Sequence, residues 1–505
     1  MPLPRRLLHS AIICLGFSLL LISRLLYTPK YLFYFDNANF AFALQHFNPA
    51  WHQPQPPGYP VFVAILHVID ILARDANASL ICAGLFGSIV ALILLWLWTR
   101  RMFNPSAAYA ACALLLFHPA FWIAGVANPV RVYLAVIVCA VGLSCWRVLT
   151  THRPKAWFYI SALVLGFTSG IRPETLVLLL PAWLAVGLFR RLPITSFLVG
   201  CAALAGSVSL WLLPMAIRMG GFAAMADSFL DYLRFNSVEH TAAFQASTGR
   251  VLIAAHKAIV WTFGMSLIWV WIIPFVGRRF FRCWTGGRLL LILATLLPPL
   301  TFHSLVHARD VDQTLISIPI TCLIGGLTLS LLRPRLLAFL AVLLATLASA
   351  WSIKKPFYPE MGAASTGTVR FIDDWTRSTY SALDRICRHG RTVLVWHDIV
   401  VPWRNVSYYY PALPMFVTDT PTPFRPPVHG VSPPIEYKNG EILLPECDQV
   451  VVGLSYPMAL RAGKQWPSAR RVGPLLVLPM APGQVLKIGS LRLVKAGNSP
   501  PNSPH

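Results

Sequence analysis

The sequence predicts an α-helical polytopic membrane protein with about 11 transmembrane helices, followed by a small α/β domain. Of its 505 residues, 56% are hydrophobic and only 12% are charged, and the mean hydropathy is +0.61. The formal net charge of 42 − 19 = +23 would suggest nucleic-acid binding in a soluble chain. Here the basic residues lie in short loops between apolar runs, so nucleic acid is excluded as a partner.

The first apolar run covers residues 7–27, follows Arg5 and Arg6, and is long enough to cross a hydrocarbon core of about 30 Å. A signal peptide is the alternative interpretation. No small-x-small cleavage site follows, and the charged residues Arg24 and Lys30 are not typical of the end of a signal peptide, so a retained helix is favoured. The other predicted spans are 79–99, 106–124, 129–149, 156–171, 174–189, 195–217, 252–276, 288–306, 312–331 and 336–352.

The loop charges predict the orientation of the chain. Alternate short loops are rich in arginine and contain no acidic residue, as in Arg100 and Arg101 or Arg190 and Arg191. Such loops stay in the cytoplasm, which predicts a multi-pass plasma (inner) membrane protein with a cytoplasmic N-terminus. This topology requires residues 57–73 to form a re-entrant or interfacial helix. An odd number of spans then makes the C-terminal domain extracytoplasmic.

The chain divides on this basis into a membrane domain, 1–352, and a soluble domain, 353–505. The first outer loop covers 28–78. Short β-type runs at Thr392–Trp396, Gln449–Gly453 and Leu475–Leu478 alternate with a predicted helix at 366–389, which indicates a small α/β domain. Cys387 and Cys447 could pair there in an oxidising compartment.

The first outer loop carries the residue types of greatest interest. Phe40, Ala43, Leu44 and Phe47 recur at helical spacing, which predicts an amphipathic helix at 37–47 on the bilayer surface. Asp36 precedes it. One interpretation is that Asp36 caps this helix. The other is that its carboxylate, held where membrane meets water, accepts a proton from an acceptor hydroxyl; both can hold at once.

These features together resemble a known family. The motifs are a single Asp after the first membrane helix, a loop helix, Gln55-Pro56-Pro57-Gly58-Tyr59-Pro60, Thr99-Arg-Arg-Met-Phe and Gly170-Ile-Arg-Pro-Glu. In combination, and up to about residue 352, they resemble the GT-C membrane glycosyltransferases. The most similar branch contains the protein O-mannosyltransferase-like and aminoarabinose-transferase-like enzymes (glycosyltransferase family 39-like).

The resemblance implies a GT-C-like fold and a hexosyltransferase type of activity. A monosaccharide would pass from a polyprenyl-phosphate donor to a lipid, glycan or protein acceptor at the outer face of the membrane, with Asp36 as the general base. Two positions depart from the family pattern. Asn37 stands where many relatives have a second acidic residue, and Gln55 precedes the Pro-Pro pair where many have His, with His52 three residues earlier.

The donor phosphate requires cationic partners, because its charge increases as it leaves. Arg172 is one candidate, since an arginine at membrane depth is either paired or functional; its alternative is a structural pair with Glu174. The loop 303–313 supplies His307, Arg309 and Gln313. Glu174, His52 and Tyr59 complete the predicted substrate-binding residues.

No cofactor is predicted, although the i, i+4 spacing of His303 and His307 would also suit a divalent metal.

Alternatives remain at several places. Residues 218–251 form either a lid over the active site or a plain surface helix. The aromatic run 403–411 is either a sugar-stacking surface or, as we favour, part of a core. The alternative function is a transporter or flippase of a lipid-linked sugar, which would show two related halves; no such symmetry is evident. A non-catalytic scaffold is a third, weaker option.

Overall fold

The computed structural model describes most of the chain. The described residues are 5–240, 248–264, 267–270, 272–306, 310–356, 359–388, 390–397, 400–417, 437–438, 441–444, 447–454, 468–481, 483–488 and 491–495. They form two compact units. The first comprises 1–28, 47–50 and 56–369, and the second comprises 29–46, 51–55 and 370–505.

Twenty α-helices are described, most of them in the first unit. In chain order they are α1 Arg5–Leu25, α2 Phe35–Gln45, α3 Pro60–Ala73, α4 Ala76–Met102, α5 Pro105–Leu116, α6 Pro119–Ala127, α7 Pro129–Thr150, α8 Pro154–Ser169, α9 Glu174–Phe189, α10 Ile194–Arg218, α11 Phe222–His240, α12 Thr248–Phe263, α13 Leu267–Val270, α14 Ile273–Val276, α15 Arg278–Arg282, α16 Gly286–Leu305, α17 Ile318–Ser330, α18 Arg335–Lys354, α19 Thr366–Cys387 and α20 Trp403–Tyr409. Short 3-10 helices lie at Pro49–Trp51, Val311–Ile316 and Pro359–Ala364.

The helices of the first unit confirm the predicted polytopic membrane class. By length and composition, α4, α7, α10, α16 and α18 are each able to cross a membrane. The bent pair α5 and α6 would make a sixth span, and shorter apolar helices add Ser10–Leu25, Pro60–Ala73, Glu174–Phe189, Val251–Phe263 and Ile318–Ser330. Helix α3, which we predicted to be re-entrant, has 14 residues, or about 21 Å, which is shorter than a hydrocarbon core.

Three predicted spans are not single helices. The span at 106–124 bends by 59° between α5 and α6, where Pro119 begins a new helix. The span at 252–276 is interrupted by turns at Gly264 and Ile272. The span at 312–331 begins only at Ile318, because the preceding residues form a 3-10 helix.

Helices α5 and α17 approach closely through small residues, as membrane helices often do. A Cβ atom at Gly326 would lie 2.4 Å from the carbonyl oxygen of Ala107 and 2.7 Å from the backbone nitrogen of Ala111. Both neighbours are backbone atoms, so the helices would have to separate to admit a methyl group.

We therefore expect Gly326→Ala to destabilise the first unit by about 1–3 kcal/mol, the usual cost of overpacking. Thermal unfolding of the detergent-solubilised protein measures this effect. Gly206→Ala is the matched control, because the same methyl group in α10 would meet no atom within 4 Å. Equal unfolding temperatures for the two variants would contradict the close packing of α5 and α17.

The second unit contains two small sheets. The strands are β1 Thr392–His397, β2 Met415–Val417, β3 Tyr437–Lys438, β4 Glu441–Leu444, β5 Gln449–Leu454, β6 Arg470–Val472, β7 Leu475–Pro479, β8 Val485–Ile488 and β9 Leu491–Lys495. One sheet has the order β2-β1-β5-β7-β6 and the other β3-β4-β9-β8. The three predicted β-type runs correspond to β1, β5 and β7, and the predicted helix to α19, so the predicted α/β character is confirmed.

The five-stranded sheet is mixed. Strand β1 pairs in parallel with both β2 and β5, whereas β7 is antiparallel to both β5 and β6. Apolar side chains from both faces of the sheet are buried, including Val393 and Val452 on one face and Leu394 and Val451 on the other. Cys387 and Cys447 are free thiols, so the disulfide considered from the sequence is absent.

Candidate functional site

A cavity of about 580 Å³ lies within the first unit. This volume is within the range of small-ligand sites. Its charged and polar lining includes Tyr59, Arg131, Arg172, Glu174, Arg234, His303 and Gln313. Its apolar lining includes Leu134, Leu178, Phe229, Leu230, Leu233, Phe302, Val306 and Ile316. The cavity therefore offers cationic groups beside a hydrocarbon-like wall.

Arg172 lies in the turn between α8 and α9 and is 6% exposed. Its Nε donates a hydrogen bond to Glu174 Oε1 over 2.7 Å, and its Nη2 contacts the same oxygen. The guanidinium also lies over the ring of Tyr59, 5.0 Å from the centroid, a cation–π geometry. The structural pair with Glu174 is thus present, and the same guanidinium lines the cavity.

Tyr59 precedes α3 with a φ of 45°, in the left-handed region. Its side chain is buried, and burial raises the pKa of its hydroxyl, with the positive charge of Arg172 opposing that shift. Tyr59 is therefore neutral at ordinary pH. A neutral phenol can both donate and accept a hydrogen bond.

A second buried arginine faces the cavity from α7. Arg131 is 8% exposed, and its Nε lies 3.9 Å from Asp312 Oδ1. The other carboxylate oxygen of Asp312 accepts a hydrogen bond of 2.9 Å from Asn128 Nδ2. Asp312 thereby links the start of α7 to the 3-10 helix Val311–Ile316. Arg131 is not among the residues predicted from the sequence, although an arginine inside an apolar span is a usable signal of a functional site.

The loop between α16 and α17 is described only in part. His303 lies near the end of α16, is buried and lines the cavity. Gln313 also lines it, and its Oε1 accepts the backbone N–H of Asp310 over 3.4 Å. His307 and Arg309 lie outside the described residues.

Helix α11 supplies the other wall of the cavity. Phe229, Leu230, Tyr232, Leu233 and Arg234 all line it, which is the placement that the lid interpretation of 218–251 requires. Arg234 and Asp231 form an exposed ion pair of 3.4 Å on this helix. A pair so exposed adds little stability.

Asp36 lies in the second unit, in the first turn of α2, and its side chain is half-buried. The N-cap of α2 is Tyr34, so Asp36 does not occupy the capping position that one interpretation gave it. An anionic side chain in the first turn interacts favourably with the helix dipole.

Helix α2 is not the amphipathic surface helix that the apolar spacing predicted. Residues 37–43 are all buried, including the polar Asn37 and Asn39. The helix packs within the second unit against α20, with ring contacts of 5.3 Å between Phe42 and Tyr408 and 5.7 Å between Phe35 and Trp403. The aromatic run 403–411 is therefore largely core, as favoured from the sequence.

His52 lies in the same unit with a φ of 55° and is 7% exposed. Burial, and next the charge of Arg404, lower the pKa of its imidazole to about 3. The unfolded chain binds a proton at this histidine below a pH of about 6.5, whereas the folded chain excludes it. His52 therefore costs stability as the pH falls through this range.

We expect His52→Asn to reduce the acid sensitivity of the second unit. Asparagine tolerates a positive φ and does not titrate. In the wild type, His52 should lower the free energy of unfolding by about 1.4 kcal/mol for each pH unit below 6.5. Between pH 7 and pH 5 this contribution amounts to about 2 kcal/mol, and the variant should not show it. Thermal unfolding across this pH range measures the difference, and parallel curves would contradict it.

Among the described residues, no group of three or more His, Cys, Asp or Glu side chains is arranged to hold a metal ion. Of the histidine pair with i, i+4 spacing, His303 is among the described residues and His307 is not.

This chain is similar to known proteins both in part of its sequence and in its fold. Residues 54–215 match the family model of dolichyl-phosphate-mannose-protein mannosyltransferase. The structure of ArnT from Cupriavidus metallidurans bound to undecaprenyl phosphate has a TM-score of 0.59 and 13% identity, covering 93% of this chain and 97% of that chain. Its apo form gives the same TM-score and coverages at 14% identity.

The apo oligosaccharyltransferase of Archaeoglobus fulgidus is less similar, with a TM-score of 0.46, 12% identity and coverages of 79% of this chain and 63% of that one. No curated protein matches the sequence. The fold similarity to ArnT extends over 93% of this chain, and the mannosyltransferase family model matches the part from α3 into α10. The predicted resemblance to the GT-C membrane glycosyltransferases is therefore confirmed at the level of the fold and of this partial sequence match.

Proposed function

We propose that the protein transfers a monosaccharide, of the hexosyl type, from a polyprenyl-phosphate carrier to an acceptor hydroxyl at the outer face of the plasma membrane. The observation that carries the proposal is the cavity of the first unit, in which two buried arginines lie beside an apolar wall. A phosphate on a hydrocarbon chain requires both kinds of surface. The ArnT structure with bound undecaprenyl phosphate supports this ligand class.

In this proposal Arg172 and Arg131 hold the carrier phosphate. When the bond between the anomeric carbon and the phosphate oxygen breaks, a phosphodiester with one negative charge becomes a phosphate monoester that approaches two. Guanidinium groups fixed in a low-dielectric site stabilise that added charge without reorganising. Tyr59, Gln313 and His303 supply hydrogen-bonding groups that orient the sugar phosphate. His307 and Arg309 remain predicted partners in the same loop.

Asp36 is the proposed general base. Its carboxylate accepts the proton of the acceptor hydroxyl while that oxygen bonds to the anomeric carbon, and the released carrier leaves with the electron pair of the broken bond. The proposal requires Asp36 to reach the sugar of the bound donor. It also requires the topology predicted from the loop charges, with a cytoplasmic N-terminus and an extracytoplasmic C-terminal domain. His52 remains a predicted substrate-binding residue.

Transfer in proteoliposomes tests the proposal. Purified protein is supplied with radiolabelled polyprenyl-phosphate mannose, glucose, galactose or aminoarabinose, together with lipid, glycan or peptide acceptors. Movement of label from the carrier to an acceptor supports a transferase. Label that changes leaflet while still attached to its carrier would instead support the flippase alternative, and intact donor in its original leaflet in every combination would contradict both.

A further inference from the structure

The second unit joins two distant parts of the chain, the first outer loop and the C-terminal residues. The backbone N–H of Lys30 donates to Asp373 Oδ1 over 2.8 Å. Leu32 is held twice, because its N–H donates to the hydroxyl of Tyr409 over 3.0 Å and its carbonyl accepts from Asn405 Nδ2 over 2.7 Å. The segment that leads into α2 is thus held by residues 343 to 377 positions later in the sequence.

Arg404 of α20 makes further contacts between these two parts of the chain and is 1% exposed. Its Nε donates to Asn39 Oδ1 over 2.9 Å. Its Nη2 donates to the carbonyl oxygens of Trp51 over 3.2 Å and His52 over 3.3 Å. One guanidinium therefore ties α2 to the loop segment that follows it.

The contacts of Arg404 fix the rotation of α2 about its axis. The guanidinium lies over the ring of Phe42, 4.6 Å from its centroid, and Asn39 Nδ2 donates to Gln55 Oε1 over 3.1 Å. Asp36 precedes Asn39 by three residues and so lies on the same face of the helix. A rotation that moved the Asp36 carboxylate would break the bond between Arg404 and Asn39.

The shape of the guanidinium suits this position. Its planar fork donates in several fixed directions at once, whereas lysine presents its donors from a single nitrogen. Breaking one of these bonds also leaves a buried polar group unpaired, which costs more than the bond itself contributes. The arrangement is therefore specific for arginine.

We propose that Arg404 is a positioning residue, which holds α2 so that Asp36 keeps the orientation required for sugar transfer. This inference rests on the proposed function of Asp36 as the base. It gives the C-terminal domain a role in transfer, since a residue of that domain orders the loop on which the base lies. Arg404 acts through α2 and is not assigned to the reacting atoms.

Kinetics of Arg404→Ala test the inference. A displacement of about 1 Å can cost roughly 10²-fold in rate, so we expect kcat to fall by about 10- to 100-fold while the KM for the donor changes less than about threefold. Arg404→Lys should recover only a small part of kcat. Val452→Ala is the matched control, because this fully buried residue of β5 packs in the sheet core; it should lower the unfolding temperature and leave kcat unchanged.

Hydrogen exchange gives a readout that does not depend on catalysis. Amides of 35–45 should exchange faster in Arg404→Ala than in Val452→Ala, because only the former releases α2. If Arg404→Ala does not fold, the exchange of α2 is compared between Arg404→Lys and Val452→Ala instead. Arg404→Lys keeps the positive charge and lacks the planar set of guanidinium donors.

The outcomes separate the two claims. In an Asp36→Asn background, Arg404→Ala should cause no further loss of transfer, because both changes disable the same group. Wild-type exchange of α2, or wild-type kcat, in the Arg404 variants would overturn the positioning role even with the base intact. Full transfer by Asp36→Asn alone would instead contradict the proposed base, and the exchange of α2 would still decide whether Arg404 orders the loop.

Discussion

Replacement of Asp36 by asparagine is expected to lower kcat by about 10²- to 10⁴-fold, the usual contribution of a general base. Asparagine keeps the size of the side chain and one oxygen, but it does not accept the acceptor proton. Because Tyr34 is the N-cap of α2, the change should leave the helix folded. Initial rates of transfer from a radiolabelled donor in proteoliposomes measure the effect, and thermal unfolding verifies that the fold is retained.

A second acidic residue provides the control for this prediction. Asp70 accepts a hydrogen bond of 2.7 Å from Ser79 within the first unit, so Asp70→Asn removes a carboxylate without touching α2 and should retain transfer. Asp36→Glu should recover part of the lost rate, because it restores a base at a shifted position. Transfer by Asp36→Asn at the wild-type rate would exclude Asp36 as the base.

Replacement of Arg172 by glutamine is expected to lower kcat/KM by about 10²- to 10³-fold, the range found when a donor to a developing oxyanion is removed. Arg172 is buried and lines the cavity, so its charge is poorly screened there. We expect weaker binding of undecaprenyl phosphate as well as slower turnover. Lipid binding and steady-state kinetics on the same preparation measure the two parts.

The ion pair with Glu174 gives this prediction a sharp control. If Arg172 served only as the partner of Glu174, the double variant Arg172→Gln/Glu174→Gln would recover activity, because no buried charge would be left unpaired. We expect no recovery. Arg391→Gln is the matched arginine control, because Arg391 forms an exposed ion pair with Asp448 and is not among the residues that line the cavity. Recovery in the double variant would reduce Arg172 to a structural role.

The fold class was predictable because hydropathy and loop charge depend on composition along the chain. The broken helices were not, because an apolar run such as 106–124 does not show where the helix axis changes direction. Pro119 begins α6 at this bend, but a proline within an apolar run does not by itself predict a bend of 59°. The start of α17 was missed for a similar reason, since the apolar residues Leu315 and Ile316 belong to a 3-10 helix and extend the apolar run.

The cavity was predictable in part. Arg172 stood out because it interrupts an apolar stretch, and Gln313 because it lies in the polar loop between two late spans; both line the cavity. Arg131 did not stand out, since the apolar run around it was treated as one span. Its ion-pair partner Asp312 lies 181 residues later in the sequence (312 − 131). No local sequence pattern indicates that two side chains so far apart in the chain are in contact.

The first outer loop shows the same limit most clearly. The spacing of Phe40, Ala43, Leu44 and Phe47 correctly indicated a helix, but burial of its polar face by α20 depends on residues about 365 positions away. Sequence periodicity reports which face is apolar and does not report that Asn39 will meet Arg404. That partner is visible only once the chain is folded.

In the proposed reaction, Asp36 deprotonates the acceptor that attacks the sugar of a carrier, and the carrier phosphate occupies the arginine-lined cavity. The most direct test uses the polyprenyl-phosphate sugar that the wild type consumes, rebuilt with a photoreactive diazirine on its sugar. After irradiation, mass spectrometry should find the label on residues 29–46 in both the wild type and Asp36→Asn, and an excess of undecaprenyl phosphate should abolish it. Label confined to the arginine-rich loops that are predicted to be cytoplasmic, or label unaffected by the competing lipid, would contradict the account.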